Sequence, residues 1–323
     1  MQTVDSVSLR SPRIYASVLA LTLLTVAVGA WAGTSLGPWA FGVLFVAVVL
    51  TGMPHGAIDH LVAARLWGLD QTWTDQMKFY GGYLILMALY GALWIVAPAW
   101  SLALFLVMTM YHFGQADLAY WELSPVPARL LYLSRGLFLI GGPIAAFPGV
   151  VAPIFEAIGG VHLLDWPLVS TTPTLLFAGL AGQHVLALSV TALGAQVDLR
   201  DAGREGLNVT VLAALFGLVH PLVAFSVYFG GWHSLGHILE LLRFFRHRGE
   251  EMSLVDFYRE AALFTLLPFV GLGVLYAATQ SVGLENEMIA LLFIVIAIMT
   301  LPHMVVVERL YQEREQNRPK AFP

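Results

Sequence analysis

The chain has 323 residues, of which 58% are hydrophobic and 11% charged, with a mean hydropathy of +0.76; a water-soluble globular domain carries roughly 25% charged residues, so that class is excluded. A formal net charge of -5 and a pI near 6.0 leave no basic face to neutralise phosphates, which excludes nucleic-acid binding as a primary role. With no cysteine in the chain, disulfides, thiolate metal sites and nucleophilic thiols are absent, and any metal falls to histidines and carboxylates.

In chain order, Arg10 and Arg13 precede an apolar run from Ile14 to about Gly33 that ends in Ala30-Trp31-Ala32. This has the form of a signal peptide with a small-residue cleavage site, but its length suits an uncleaved spanning helix better, since signal-peptide apolar cores are shorter. Stretches without Asp, Glu, Lys or Arg lie at 14–58, 79–116, 136–155, 166–197, 206–239, 261–284 and 288–307. A membrane helix needs about 20 apolar residues, and these stretches accommodate about ten, at roughly 12–33, 38–66, 79–97, 99–120, 129–147, 173–194, 207–228, 230–247, 257–279 and 287–310. The pattern predicts an all-α, polytopic helical membrane bundle forming a single domain over 1–323, with tails at 1–11 and 312–323. Arg65, Lys78, Arg129, Arg200, Arg204, Arg243 and Arg259 then fall on one side, while the opposite connections around 34–37, 98, 148–172, 229–231 and 280–286 carry no Lys or Arg. Positive charge marks the cytoplasmic face, so both termini are expected there, in a multi-pass protein of the inner (plasma) membrane. Residues 148–172, rich in Pro and Gly, read as an outer loop with a short amphipathic helix.

Ionisable residues inside spans are costly in lipid and face the bundle interior. The second span carries Pro54-His55-Gly56-Ala57-Ile58-Asp59-His60, with His55 and Asp59 on one helical face. The fourth carries Tyr111-His112-Phe113-Gly114-Gln115-Ala116-Asp117, the eighth Trp232-His233-Ser234-Leu235-Gly236-His237-Ile238-Leu239-Glu240, and the tenth Pro302-His303. His233 and His237, one turn apart, direct two imidazoles at one point, which suits a first-row metal. Each has a plainer reading: a lone intramembrane histidine such as His112 is also an ordinary interhelical hydrogen-bonding residue. His184, His220 and His303 stand alone and read as packing, hydrogen-bonding or supporting residues, while His162 and His247 lie near membrane boundaries. Tyr111, Phe113, Phe229 and Trp232 fit bundle packing, and their places beside histidines also suit an apolar substrate channel.

Taken together, the Pro-His-Gly-Ala-x-Asp, Tyr-His-Phe-Gly-Gln-Ala-Asp and Trp-His-Ser-x-x-His elements resemble those of the Brp/Blh family of membrane β-carotene 15,15'-dioxygenases, over about residues 38 to 310. The resemblance implies cleavage of the central double bond of β-carotene by dioxygen to two molecules of retinal, with Fe(2+) held by histidines. Carried over position by position, the ligands are His55, His112, His233 and His237. Asp59, Asp117 and Glu240, the acidic residues nearest them in sequence, are then expected to hydrogen-bond the imidazoles from behind. Retinal would pass to a retinal-binding protein, and the lipid bilayer would deliver the substrate.

Other classes remain in view. A retinal-binding opsin needs a bundle lysine, and Lys78 and Lys320 sit at an edge and in a tail. A His/Asp-lined proton- or metal-coupled transporter lacks the internal repeat such proteins show. A di-iron membrane hydroxylase or desaturase needs more than four histidines, which His60 and His303 could supply. Depth fixes one further expectation. At about 1.5 Å per residue, His55 and His112 lie roughly 20–25 Å from the outer ends of their helices. His233 and His237 reach that level only if the outer turn falls near His220-Pro221, with Gly230 and Gly231 inside a helix close to another helix or to substrate.

Overall fold

The computed structural model describes residues 11–70, 72–121, 123–194, 197–280 and 288–316. Among these the chain is helical, with no strand. Helices α1 (Pro12–Ala32), α2 (Gly37–Trp67), α3 (Trp73–Val96), α4 (Pro98–Leu118), α5 (Pro125–Ala146), α6 (Pro148–Gly159), α7 (Pro173–Leu193), α8 (Leu199–Leu218), α9 (221–247), α10 (Leu254–Gln280) and α11 (Met288–Gln316) follow in order. Long apolar segments without water to solvate the backbone are held to helices, which satisfy every peptide group internally. Proline occupies the first or second position of α1, α2, α4, α5, α6, α7 and α9, where its fixed φ fits and its missing N–H has no partner to lose.

Among the described residues six helices, α1, α2, α3, α7, α10 and α11, are long and apolar enough to cross a membrane, and α5 with α6, bent by 109° at Phe147, makes a seventh if the bent pair is one span. This corrects the expected ten. The helices α4, α8 and α9 reach comparable length but carry polar side chains: His112, Gln115 and Asp117 on α4, Arg200 to Glu205 on α8, and His233 to Arg246 on α9. The 148–172 segment folds as α6 followed by short helical turns at Leu163–Asp165 and Pro167–Ser170. Residues 1–10 and 317–323, most of the expected tails, lie outside the described residues, and 312–316 continue α11.

Helix α1 is integrated rather than peripheral. The Tyr15 hydroxyl donates to Asn208 Oδ1 at 2.7 Å, Trp232 Nε1 donates to Thr22 Oγ1 at 3.0 Å, and Gly29 lies flush against Val219. Between α4 and α5 the backbones touch: a Cβ on Gly114 would fall on the Tyr132 carbonyl, and one on Gly136 on the Met110 carbonyl. Small residues permit this approach, and dispersion then holds the helices in place of a hydrophobic driving force.

The break between α8 and α9 lies where depth required it. After α8, Val219 and His220 adopt extended ψ angles of 143° and 129°, and α9 starts at Pro221. It continues through Gly230 and Gly231 as a wide π turn, Tyr228–Ser234. A second π turn, Val48–Gly52, interrupts α2, with Met53 N–H bonded to Val48 O at 2.7 Å. The two π turns face each other. A Cβ on Gly230 would lie 3.2 Å from Ala47 Cβ and Thr51 Oγ1, and one on Gly52 would lie 2.6 Å from Phe229. π turns in α-helices are frequent at functional sites, and these two flank the histidines.

Candidate functional site

The helices α2, α4, α9 and α11 converge on five imidazoles. His55 ring centroids lie 5.3 Å from His233, 5.6 Å from His237 and 4.9 Å from His303. His112 lies 4.8 Å from His233, 6.5 Å from His237 and 5.3 Å from His303. All five are buried. The two π turns bring them together: the first sets Pro54-His55-Gly56 against α11, where a Cβ on Gly56 would lie 3.2 Å from His303 Nδ1, and the second contains His233 itself.

Hydrogen bonding leaves most of these nitrogens empty-handed. His55 Nδ1 meets the Gly52 carbonyl, and His303 Nδ1 meets Asp59 at 3.0 Å. Both nitrogens of His112, His233 and His237, and Nε2 of His303, are buried without a partner. A buried polar atom without a partner costs about 1–3 kcal/mol, so such a concentration is unfavourable unless something else satisfies the lone pairs. One nitrogen each from His55, His112 and His303 lies within 4.8 Å of the other two. Neutral imidazoles so placed suit a first-row transition ion.

The three carboxylates take different partners. Asp59 holds His303, and its Oδ2 also accepts from the Tyr83 hydroxyl at 3.2 Å. Asp117 instead pairs with Arg135 at 3.0 Å and accepts from Tyr228 at 3.3 Å, and Glu240 accepts from Tyr311 at 3.0 Å and from Arg314. Proximity in sequence placed both near the imidazoles, but cations on other helices have the stronger attraction for them. Arg135 also reaches Glu205, forming a buried group with Asn208.

The aromatic residues divide similarly. Phe113 and Phe229 line a narrow apolar chamber against His55, His112, His233 and His303, together with Phe225, Phe293 and Met299. Tyr111 lies instead at a polar cavity beside Gln115 and Glu308, and Trp232 packs edge-on against Tyr15. A separate polar cavity lined by Asp117, Arg135, Glu205 and Glu240 reaches His233 and His237. The cluster therefore stands between an apolar and a polar compartment. His60 stands apart, 4.6 Å from the Phe264 ring, and His184 contacts Ser134 at 3.1 Å and stacks on Phe138. The sequence marks His303 as a lone packing, hydrogen-bonding or supporting histidine, and the structure brings it into the cluster. Its partner Asp59 lies 244 positions away, so no local motif announces it; its place beside Pro302 near the level of the other histidines was the available signal.

Comparison with known proteins bears on this arrangement. The family described as beta-carotene 15,15'-dioxygenase matches residues 46–311. The chain is 30% identical over 304 residues to the probable beta-carotene 15,15'-dioxygenase Blh of Halobacterium salinarum, covering 85% of this chain and 86% of that one. It is 22% identical over 276 residues to the beta-carotene 15,15'-dioxygenase of uncultured marine bacterium 66A03, covering 82% and 92%. No solved structure matches.

Proposed function

Since the chain belongs to the β-carotene 15,15'-dioxygenase family, we propose that it cleaves the central double bond of β-carotene with dioxygen, giving two molecules of retinal in an iron-dependent reaction. One C=C bond becomes two C=O bonds, and the two atoms of one dioxygen account for both aldehyde oxygens. The observation that carries the reading is the set of buried, partnerless imidazole nitrogens of His112 and His233 opening on an apolar chamber with His55, with those of His237 behind them at the polar cavity.

In this reading His55, His112, His233 and His237 hold Fe(2+). When bound, iron supplies electron density to dioxygen, which otherwise reacts slowly with a closed-shell alkene. The protein's own work is placement and exclusion. The Gly52 carbonyl fixes His55 by accepting from Nδ1, which leaves Nε2 as its donor lone pair. Phe113, Phe225, Phe229 and Phe293 offer a water-poor surface for a polyene, and an apolar substrate dissolved in the bilayer reaches such a chamber without crossing water. We place the enzyme in the cell's inner membrane, with retinal handed to a retinal-binding protein.

Production of the chain in cells that accumulate β-carotene tests the reading: the cells should bleach and contain retinal. Unchanged pigment with folded protein would remove it. Two irons per chain would favour the hydroxylase class instead, and none a transporter.

A further inference from the structure

We propose that His303 is a fifth imidazole donor to the same metal, set in place by Asp59 and Tyr83. The proposal rests on the reading that one metal ion lies among the histidines, and it concerns a residue outside the four-histidine set.

Both Asp59 oxygens lie within reach of His303 Nδ1, at 3.0 and 3.1 Å. An ionised carboxylate only accepts hydrogen bonds, so the proton sits on Nδ1 and the lone pair on Nε2. That Nε2 is buried with no partner. A purely structural His–Asp pair would gain nothing from burying its second nitrogen unpaired, whereas a ligand requires it. Metal-bound histidines characteristically pass their other N–H to a carboxylate, which fixes the tautomer and raises ligand basicity. Tyr83 completes the chain by donating to Asp59 Oδ2 at 3.2 Å.

Packing points the same way. Gly56, next to His55, is the place where the His303 ring lies on α2, and a Cβ there would sit 3.2 Å from Nδ1. Among the described residues, His55, His112 and His303 form the one trio of possible ligands whose donor atoms all lie within 4.8 Å of one another. Three atoms at that spacing share a point about 2.8 Å from each, against a metal–nitrogen bond of about 2.1 Å. An ion seated by His55 and His112 therefore comes within reach of His303 after sub-ångström shifts.

Cobalt(II) titration of the purified full-length chain in detergent tests this, because its ligand-field spectrum reports coordination number without turnover. His303→Ala should weaken cobalt binding at least tenfold, shift the bands toward lower coordination, and recover the original bands when free imidazole is added. Asp59→Asn, which keeps His303, should weaken binding about 10 to 100-fold, and Tyr83→Phe less. If His303→Ala does not fold, His303→Gln keeps the side-chain volume and a polar contact to Asp59 and is expected to show the same loss. A His303 variant with wild-type affinity and spectrum overturns the proposal while leaving the four-histidine site standing. Failure of the unaltered chain to bind cobalt overturns the metal reading and this proposal with it.

Discussion

Arg135 of α5 and Glu205 of α8 meet at 2.7 Å, Nη1 to Oε1, with side chains 1% and 2% exposed. Asp117 shares the same guanidinium from α4, and Asn208 carries the group on to Tyr15 of α1. Four helices thus depend on one cation. Replacing Arg135 with Met strands two buried carboxylates, and the expected loss is about 3–5 kcal/mol, read as a fall in thermal unfolding temperature in detergent. Adding Asp117→Asn and Glu205→Gln to that variant should recover part of it. A single Arg135→Met substitution without measurable loss would show that the group is not needed for folding.

Asp117 and Asp59 should therefore separate. Asp117→Asn is expected to lower stability while leaving iron content near that of the unaltered chain, because its partners are Arg135 and Tyr228. Asp59→Asn should lower iron content with the bundle intact. Iron measured per folded chain decides between them, and equal iron loss in both would mean that the polar cavity beside Asp117 is part of the metal site.

At the α4–α5 contact, Gly136→Ala places a methyl on the Met110 carbonyl, and Gly114→Ala one on that of Tyr132. Neither backbone can yield without separating the helices. Both variants should fail to give a monodisperse protein by size-exclusion chromatography. Gly81→Ala and Gly82→Ala, whose added methyls meet nothing within 4 Å, should behave as the unaltered chain.

Phe229 and Trp232 lie three residues apart with different surroundings. Phe229→Ala enlarges the apolar chamber and should reduce β-carotene turnover. Trp232→Phe removes the bond to Thr22 and should cost about 1 kcal/mol of stability with turnover largely kept. Retinal formation alongside thermal unfolding distinguishes the two, and reversed effects would relocate the substrate chamber.

Helices and their polar insertions were legible because lipid forces a helix on any long apolar run, and each histidine motif stands out against such a run. The break at His220-Pro221 was legible through geometry, since imidazoles on different helices meet only at a common depth. What could not be read were pairings between distant helices. Arg135 borders a charge-free run and carries no motif of its own, so nothing foretold that it would draw Asp117 away from His112. Glu240 was likewise drawn toward Arg314, and His303 gained significance only from Asp59. The expected number of spans was too high because charge-free length alone does not count neutral polar side chains such as His112 and Gln115.

The paired π turns make the site sensitive to residue count. A turn closed from residue i to i+5, as between Val48 and Met53, accommodates one more residue than an α-turn. Were 48–52 to close as ordinary α-turns with no residue removed, everything beyond them would swing by about 100° about the axis. His55 would then leave the cluster even though no histidine had been altered. Deleting one residue from 48–52 would instead let α2 close as an ordinary α-helix with His55 near its present angular phase. The wide turn at 228–234 sets the phase of His233, which lies inside it, and of His237 just after it in the same way. The extra residue in each turn thus carries chemical information that residue identity does not display.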